Sequence, residues 1–156
     1  MDLRRIVRLT IMALGMAAVF GILQLSAAGL IGGLADDPTL ADAAEQRNGS
    51  LVRSLLEGGA DIDLPQVDGM TALHWAVYHD DVETATLLVG AGADVAAENR
   101  YGVPPLSTAA TNGNAGLVTV LLEAGADPNT ALRGGETVLM TAARTGDLGA
   151  VRALLA

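Results

Sequence analysis

Residues 68–94 read DGMTALHWAVYHDDVETATLLVGAGAD, and this stretch decides the fold because parts of it recur at a constant interval. Its closing triplet, Gly92, Ala93 and Asp94, is found one interval earlier at residues 59–61 and one interval later at residues 125–127. A fixed period of this kind is the signature of a repeat array. The same step links three further sets of apolar residues: Leu40, Leu73, Leu106 and Leu139; Ala43, Ala76, Ala109 and Ala142; Leu55, Leu88, Leu121 and Leu154.

Each period is predicted to contain two short helices. The first runs from about Thr71 to Tyr78, and its counterparts occupy the corresponding positions of the other copies. The second follows a residue type that favours helix N-caps and then shows apolar residues at helical spacing; these caps are Asn48, Asp81, Asn114 and Asp147. Helices this short are unstable in isolation. The sequence therefore predicts an all-α solenoid in which stacked helix pairs stabilise one another.

Glycines are predicted to shape the connections between these helices. Gly92 and Gly125 follow the second helix closely enough to serve as left-handed caps, a conformation that is costly for residues with a Cβ. Gly69, Gly102 and Gly135 share the same spacing and are predicted to mark the next turn.

The composition limits the classes of function. The chain of 156 residues carries a net charge of −9, and residues 36–156 hold six arginines against seventeen acids. Such a surface repels phosphate, so nucleic acid is not expected as a partner. There is no cysteine, and the two histidines do not belong to a spaced set of ligands. No catalytic, metal-binding or cofactor-binding residue is predicted.

The N-terminal residues 1–35 are predicted to be a signal peptide or signal anchor. Arg4, Arg5 and Arg8 are followed by an uncharged stretch that reaches to the acidic part of the chain. Cleavage is compatible with a site before Gly29 or before Asp36, and an uncleaved membrane anchor is the alternative. In both cases the arginines hold the N-terminus in the cytoplasm and the repeats lie outside it, in the periplasm or the extracellular space.

The central copy resembles an ankyrin repeat. The resemblance rests on Asp68, Gly69, Thr71, Ala72, Leu73, His74 and Ala76, followed by Gly92, Ala93 and Asp94. The period agrees as well, since ankyrin repeats recur at about 33 residues. With the N-terminal pattern, the chain is similar to exported, bacterial-type ankyrin proteins. The resemblance implies a fold of stacked helix-turn-helix repeats joined by β-turn or hairpin loops. It divides the chain into repeats of about 36–65, 66–98, 99–131 and 132–156, the last incomplete.

The other copies depart from the family pattern. The third has Pro104 and Ser107 in place of threonine and histidine, and the fourth has Met140 in place of histidine. Both are expected to be looser than the second. In the second copy, the resemblance implies a structural role for His74, whose ring hydrogen-bonds within the loops. His79 is either a contact residue or solvent-exposed, and Trp75 is expected to be buried between repeats.

The resemblance also implies a non-catalytic module that binds a partner protein through a concave surface of turn tips and first helices. Tyr78 and Tyr101 are the best predicted anchors. Arg100, Arg133 and Arg144 suggest a partner that presents carboxylates. Transfer of the family's contact positions selects Val67, Asp68, Met70, Tyr78, His79, Arg100, Tyr101, Val103, Thr111, Asn112, Arg133, Glu136, Arg144 and Thr145.

Two other functions stay open on the sequence. The repeats could be the accessory or docking segment of a longer enzyme whose catalytic domain lies beyond residue 156, or a membrane-anchored structural spacer. The fourth copy stops at Leu154, Leu155 and Ala156, before its Gly-Ala-Asp triplet. This predicts an exposed apolar end, which a longer array or a docking partner would cover.

Overall fold

The computed structural model describes residues 38–156, and the predicted signal or anchor segment, residues 1–35, lies outside the described residues. The described part contains eight α-helices of six to nine residues, and its one isolated antiparallel bridge joins Ala131 and Thr137. The all-α repeat fold is confirmed. The helices are α1 (Leu40–Glu45), α2 (Gly49–Glu57), α3 (Ala72–Tyr78), α4 (Val82–Gly90), α5 (Pro105–Asn112), α6 (Ala115–Glu123), α7 (Val138–Thr145) and α8 (Leu148–Leu155).

The helices form four pairs that stack in chain order. The first helices α1, α3, α5 and α7 each pack on the next, and the second helices α4, α6 and α8 form a parallel row. Leu73, Leu106, Leu88 and Leu121 are at most 1% exposed in the middle of the stack. Leu139 in the last copy is only half-buried, because no repeat of the described chain covers it on its outer side.

All four predicted caps of the second helices are confirmed. The side chains of Asn48, Asp81 and Asn114 accept hydrogen bonds from backbone N–H groups three residues later, at 3.0 to 3.1 Å. Asp147 does the same for Ala150 at 2.7 Å. Each bond satisfies an N–H group that the first turn of the helix leaves without a partner.

The loops between repeats are β-turns of one repeated design. In the loop before α3, the N–H of Gln66 donates to the carbonyl of Met70, and the N–H of Gly69 donates to the carbonyl of Gln66, both at 2.9 Å. The same pair of bonds closes the loops before α5 and α7. Gly69 has φ of +83°, as its predicted turn position requires. The backbone N–H of Arg100 then donates to the carbonyl of Asp68 at 2.9 Å, which joins successive loops.

The caps of the first helices differ from copy to copy, as predicted. Thr71 and His74 form a reciprocal capping box at the start of α3. Pro104 gives α5 no side-chain cap, and the buried hydroxyl of Ser107 has no hydrogen-bond partner among the described residues. Thr137 caps α7 by accepting a bond from the N–H of Met140 at 3.2 Å. The third and fourth copies therefore lack the bonds that the histidine supplies.

The last repeat exposes apolar side chains, as the sequence predicts. Met140, Leu148 and Leu155 are 59%, 70% and 67% exposed. Among the described residues, no helix has the length and apolarity that crossing a bilayer requires.

Candidate functional site

One face of the stack combines loop tips with the exposed sides of the first helices. An open groove of about 550 Å³ is lined by Thr39 and Asp42 at the start of the array and by residues 65–68 and Arg100 in the next two loops. Loops and helices from different repeats thus meet on this side. We call it the loop-and-helix face; besides the groove residues it includes Glu45, Trp75, Tyr78 and His79 on α1, α3 and its C-cap, and the loop-tip residues Tyr101 and Arg133.

Gln66 lies at the centre of the N-terminal part of the loop-and-helix face. The Nε2 of Gln66 donates to a carboxylate oxygen of Asp42 at 2.7 Å and to one of Glu45 at 2.9 Å. Its Oε1 accepts from the indole nitrogen of Trp75 at 2.7 Å. One amide therefore joins two carboxylates of α1 to the aromatic ring of α3. The hydrogen bonds from Gln66 and from Thr39 hold the pKa of Asp42 below its usual value, so this carboxylate is ionised at neutral pH.

Three rings next to this amide form a packed group. The ring of Trp75 is stacked on that of His79, with centroids 5.8 Å apart and an interplanar angle of 22°. The ring of Tyr78 meets both nearly edge-on, at 5.6 Å from Trp75 and 5.3 Å from His79. Such edge-on arrangements are favourable because the positive ring edge faces the negative ring face. Tyr78 remains 58% exposed, so it presents a firmly held aromatic surface to solvent.

The expectation for Trp75 was wrong. Its side chain is half-buried and packs against the core from one side, rather than lying fully between repeats. The indole nitrogen needs a hydrogen-bond partner, and Gln66 supplies one at the surface. Trp75 thus belongs to the loop-and-helix face, to which the sequence pattern did not assign it.

The two histidines have different environments. His74 is 1% exposed, with Nδ1 facing the Thr71 N–H at 3.3 Å and Nε2 at 3.1 Å from the carbonyl oxygen of Val103. This is the structural role predicted for it. His79 is half-buried, and its Nε2 lies 3.0 Å from the carbonyl oxygen of Glu45. Its ring therefore joins the second repeat to the first, an arrangement that neither sequence alternative described.

The predicted contact residues of the loop tips differ in exposure. Val67 and Tyr101 are 91% and 69% exposed, and both point large apolar surface to solvent. Asp68, Met70 and Val103 are half-buried and take part in loop hydrogen bonds.

Several predicted contact residues on the first helices already form hydrogen bonds within the fold. The amide of Asn112 donates to the carbonyl of Val77 and to the carboxylate of Asp80, both at 3.1 Å. The hydroxyls of Thr111 and Thr145 donate to carbonyls of their own helices at 2.8 Å. All three residues are exposed, so their outer atoms remain accessible.

The three arginines among the predicted contact residues are not equivalent. Arg144 forms an ion pair with Glu136 at 2.9 Å. The guanidinium of Arg100 donates to the carbonyl of Val67. Arg133 lies against the turn glycine Gly102, and within residues 38–156 no carboxylate is within ion-pair distance of it. Within residues 38–156, Arg100 and Arg133 therefore form no ion pair, whereas the charge of Arg144 is paired.

The comparison with known families decides what this arrangement is. The family model for ankyrin repeats, in three copies, matches residues 40–132. The chain belongs to the ankyrin-repeat family. No curated protein matches the chain.

Ankyrin repeats are protein–protein interaction modules. The described residues of this chain contain no group of three or more His, Cys, Asp or Glu side chains that could hold a metal ion. Sequence reasoning had missed Asp42, Glu45, Gln66 and Trp75 as members of the loop-and-helix face. The repeat offered a signal for one of them, since Glu45 stands one full period before the predicted anchor Tyr78.

Proposed function

We propose that this protein is a non-catalytic ankyrin module that binds a partner protein outside the cytoplasm through its loop-and-helix face. The observation that carries the proposal is the combination of an open groove with exposed aromatic side chains on one side of the array. Tyr78 and Tyr101 offer large contact area at a small cost in rotamer entropy. Tyr78 is also held in place by two neighbouring rings, which reduces that cost further.

The location outside the cytoplasm rests on residues 1–35. Three arginines precede a long uncharged segment there, and this order directs the following chain across a membrane. The intact mass of the protein recovered from its own host tests this part. A mass that begins at Gly29 or Asp36 supports a cleaved signal, an intact N-terminus supports an anchor, and recovery from the cytoplasm alone would contradict export.

The binding face is tested by photo-crosslinking in the host. A photoreactive amino acid replaces Val67 or Tyr101, and in a control variant it replaces Thr119, which is exposed on the second-helix row. We expect a discrete protein adduct from the two loop positions and none from the control. Adducts from Thr119 alone would place the partner on the opposite surface and contradict the proposal.

Electrostatics provide an independent check on the same face. Arg100 and Arg133 project from an otherwise acidic repeat region, which favours a partner that presents carboxylates to them. Replacement of both with alanine is expected to reduce capture of the crosslinked partner and to weaken its dependence on salt. Equal capture at every salt concentration would contradict the role of these arginines.

A further inference from the structure

The N-terminal part of the loop-and-helix face carries a concentrated negative charge. Asp42 and Glu45 lie close enough to share the single amide nitrogen of Gln66 as hydrogen-bond donor. That amide is neutral, and the ion pairs of residues 38–156 involve neither carboxylate. Two negative charges therefore stand side by side, and no cation of the described chain forms an ion pair with either of them. Arg100 lines the same groove as Asp42, but its guanidinium donates to the carbonyl of Val67.

An aromatic surface adjoins these carboxylates. Gln66 ties the indole of Trp75 to the same network, and His79 bonds to the backbone carbonyl of Glu45. The exposed ring of Tyr78 packs against both Trp75 and His79. Carboxylates beside an aromatic ring attract a cationic side chain twice, through charge pairing and through the negative face of the ring. The long aliphatic stem of lysine or arginine can cover the ring at the same time.

The opposite charge is found further along the same face. Arg133 stands at the tip of the loop before α7, and Arg144 is already paired with Glu136. A guanidinium binds carboxylates through two parallel hydrogen bonds, which fixes the orientation of the bound group. The face is thus negative at α1, aromatic at α3 and positive where Arg133 lies against Gly102 in the loop before α5.

Resting on the proposed function, we propose that this face binds one extended segment of the partner protein in a single direction. A lysine or arginine side chain of that segment lies at Asp42 and Glu45, and an aspartate or glutamate side chain lies at Arg133. The side chain of Arg133 reaches back to Gly102 in the loop before α5, so two steps between stacked helices of about 10 Å each separate the two ends by about 20 Å. An extended chain advances about 3.3 Å per residue, so the two charges are about six residues apart.

The test uses a library of random dodecapeptides displayed on phage and selected against the full chain in detergent. Enriched peptides are expected to carry a basic and an acidic residue about six positions apart, always in the same order along the peptide. A synthetic peptide of that pattern is then titrated against the full chain by fluorescence polarisation. The same peptide with its two charged residues exchanged is expected to bind at least about tenfold more weakly, because each charge then meets its own sign.

Matched variants assign the two charges to their sites. Glu45→Gln and Arg133→Gln are each expected to weaken the peptide about tenfold. Glu83→Gln and Arg152→Gln, on exposed positions of α4 and α8, are expected to leave its affinity unchanged. In the Glu45→Lys variant, a peptide whose basic residue is replaced by glutamate should recover binding, which a merely structural effect of the substitution would not produce.

The outcomes separate this inference from the function on which it rests. Enriched peptides that lack a basic residue, or that bind the Glu45→Gln and Glu83→Gln variants equally, would overturn the inference while leaving a peptide-binding face. A selection that enriches no peptide, together with crosslinking that yields no adduct at Val67 or Tyr101, would overturn the proposed function and the inference with it.

Discussion

The Nε2 of His74 lies 3.1 Å from the carbonyl oxygen of Val103, so one buried ring joins the second repeat to the loop of the third. Its other nitrogen faces the backbone N–H of Thr71 and accepts from it. The ring therefore donates through Nε2 and accepts through Nδ1, which is the pattern of a neutral imidazole. Burial lowers the pKa of His74, and this effect outweighs the opposing influence of the Val103 carbonyl and of nearby acids.

This relationship predicts a dependence of stability on pH. The ordinary pKa of 6.5 applies to the unfolded chain, and the folded value is lower. Between the two values the unfolded state binds more protons, so the free energy of unfolding decreases as the pH falls below 6.5. Urea unfolding at several pH values from 8 to 5 measures this slope. The slope is expected to disappear in His74→Gln and to persist in His79→Gln; the reverse result would contradict the assignment.

Ser107 occupies the position of His74 in the third repeat, and its buried hydroxyl has no partner among the described residues. Ser107→Ala is expected to increase the free energy of unfolding by about 1 kcal/mol, because it removes an unpaired buried polar group. Ser54→Ala on the exposed side of α2 is the control for the higher helix propensity of alanine, about 0.5 kcal/mol. Equal gains in the two variants, measured by urea unfolding, would show that the hydroxyl costs nothing.

Two glycines with similar φ angles allow the conformational cost of a substitution by alanine to be measured apart from its steric cost. Gly69 and Gly135 have φ of +83° and +78°, so alanine is strained by about 1–2 kcal/mol at either position. A Cβ on Gly69 would lie 2.7 Å from the backbone nitrogen of Arg100, whereas a Cβ on Gly135 meets nothing within 4 Å. Gly69→Ala is therefore expected to lose about 1–3 kcal/mol more than Gly135→Ala in urea unfolding. Equal losses would contradict the close approach of the two loops.

Trp75 is the only tryptophan, so its fluorescence reports on the network around Gln66. Gln66→Leu removes the partner of the indole and of two carboxylates and is expected to cost about 1–2 kcal/mol. The emission of Trp75 should shift, and the pKa of Asp42 should rise toward its ordinary value. Gln46→Leu, at an exposed position that ends α1, is the control. Identical spectra for the two variants would argue against the network.

The sequence was sufficient for the repeat and for its local structure. Helix caps, turn glycines and buried leucines can be recognised from residue type, because each type suits a particular backbone conformation or environment. Each of these features depends on residues only a few positions away. Asp81 caps α4 and Gly92 adopts φ of +97° for such local reasons. Because the same residue types return at one fixed period, each assignment is supported by several copies, and it could be read without a structure.

The side-chain contacts that build the face were not available from the sequence. The expectation for Trp75 was wrong because large apolar residues favour burial in general, whereas its position depends on Gln66 in a loop nine residues away. The two acids of α1 were missed because the family's contact positions were transferred only to the second, third and fourth copies. Pairing of Arg144 with Glu136 was missed because the two were assigned separately as contact residues.

By itself, the sequence determined that residues 38–156 build an ankyrin array with four helix pairs, since caps, turns and apolar spacing are short-range requirements. Only the tertiary structure decided which charges remain uncompensated on the loop-and-helix face. Charge pairing depends on where side chains from different helices and loops come to lie, and a difference of a few ångströms separates the neutralised Arg144 from an Arg133 that stays available. The repeat period determines which positions face the surface, and the packing of the repeats determines which side chains pair there.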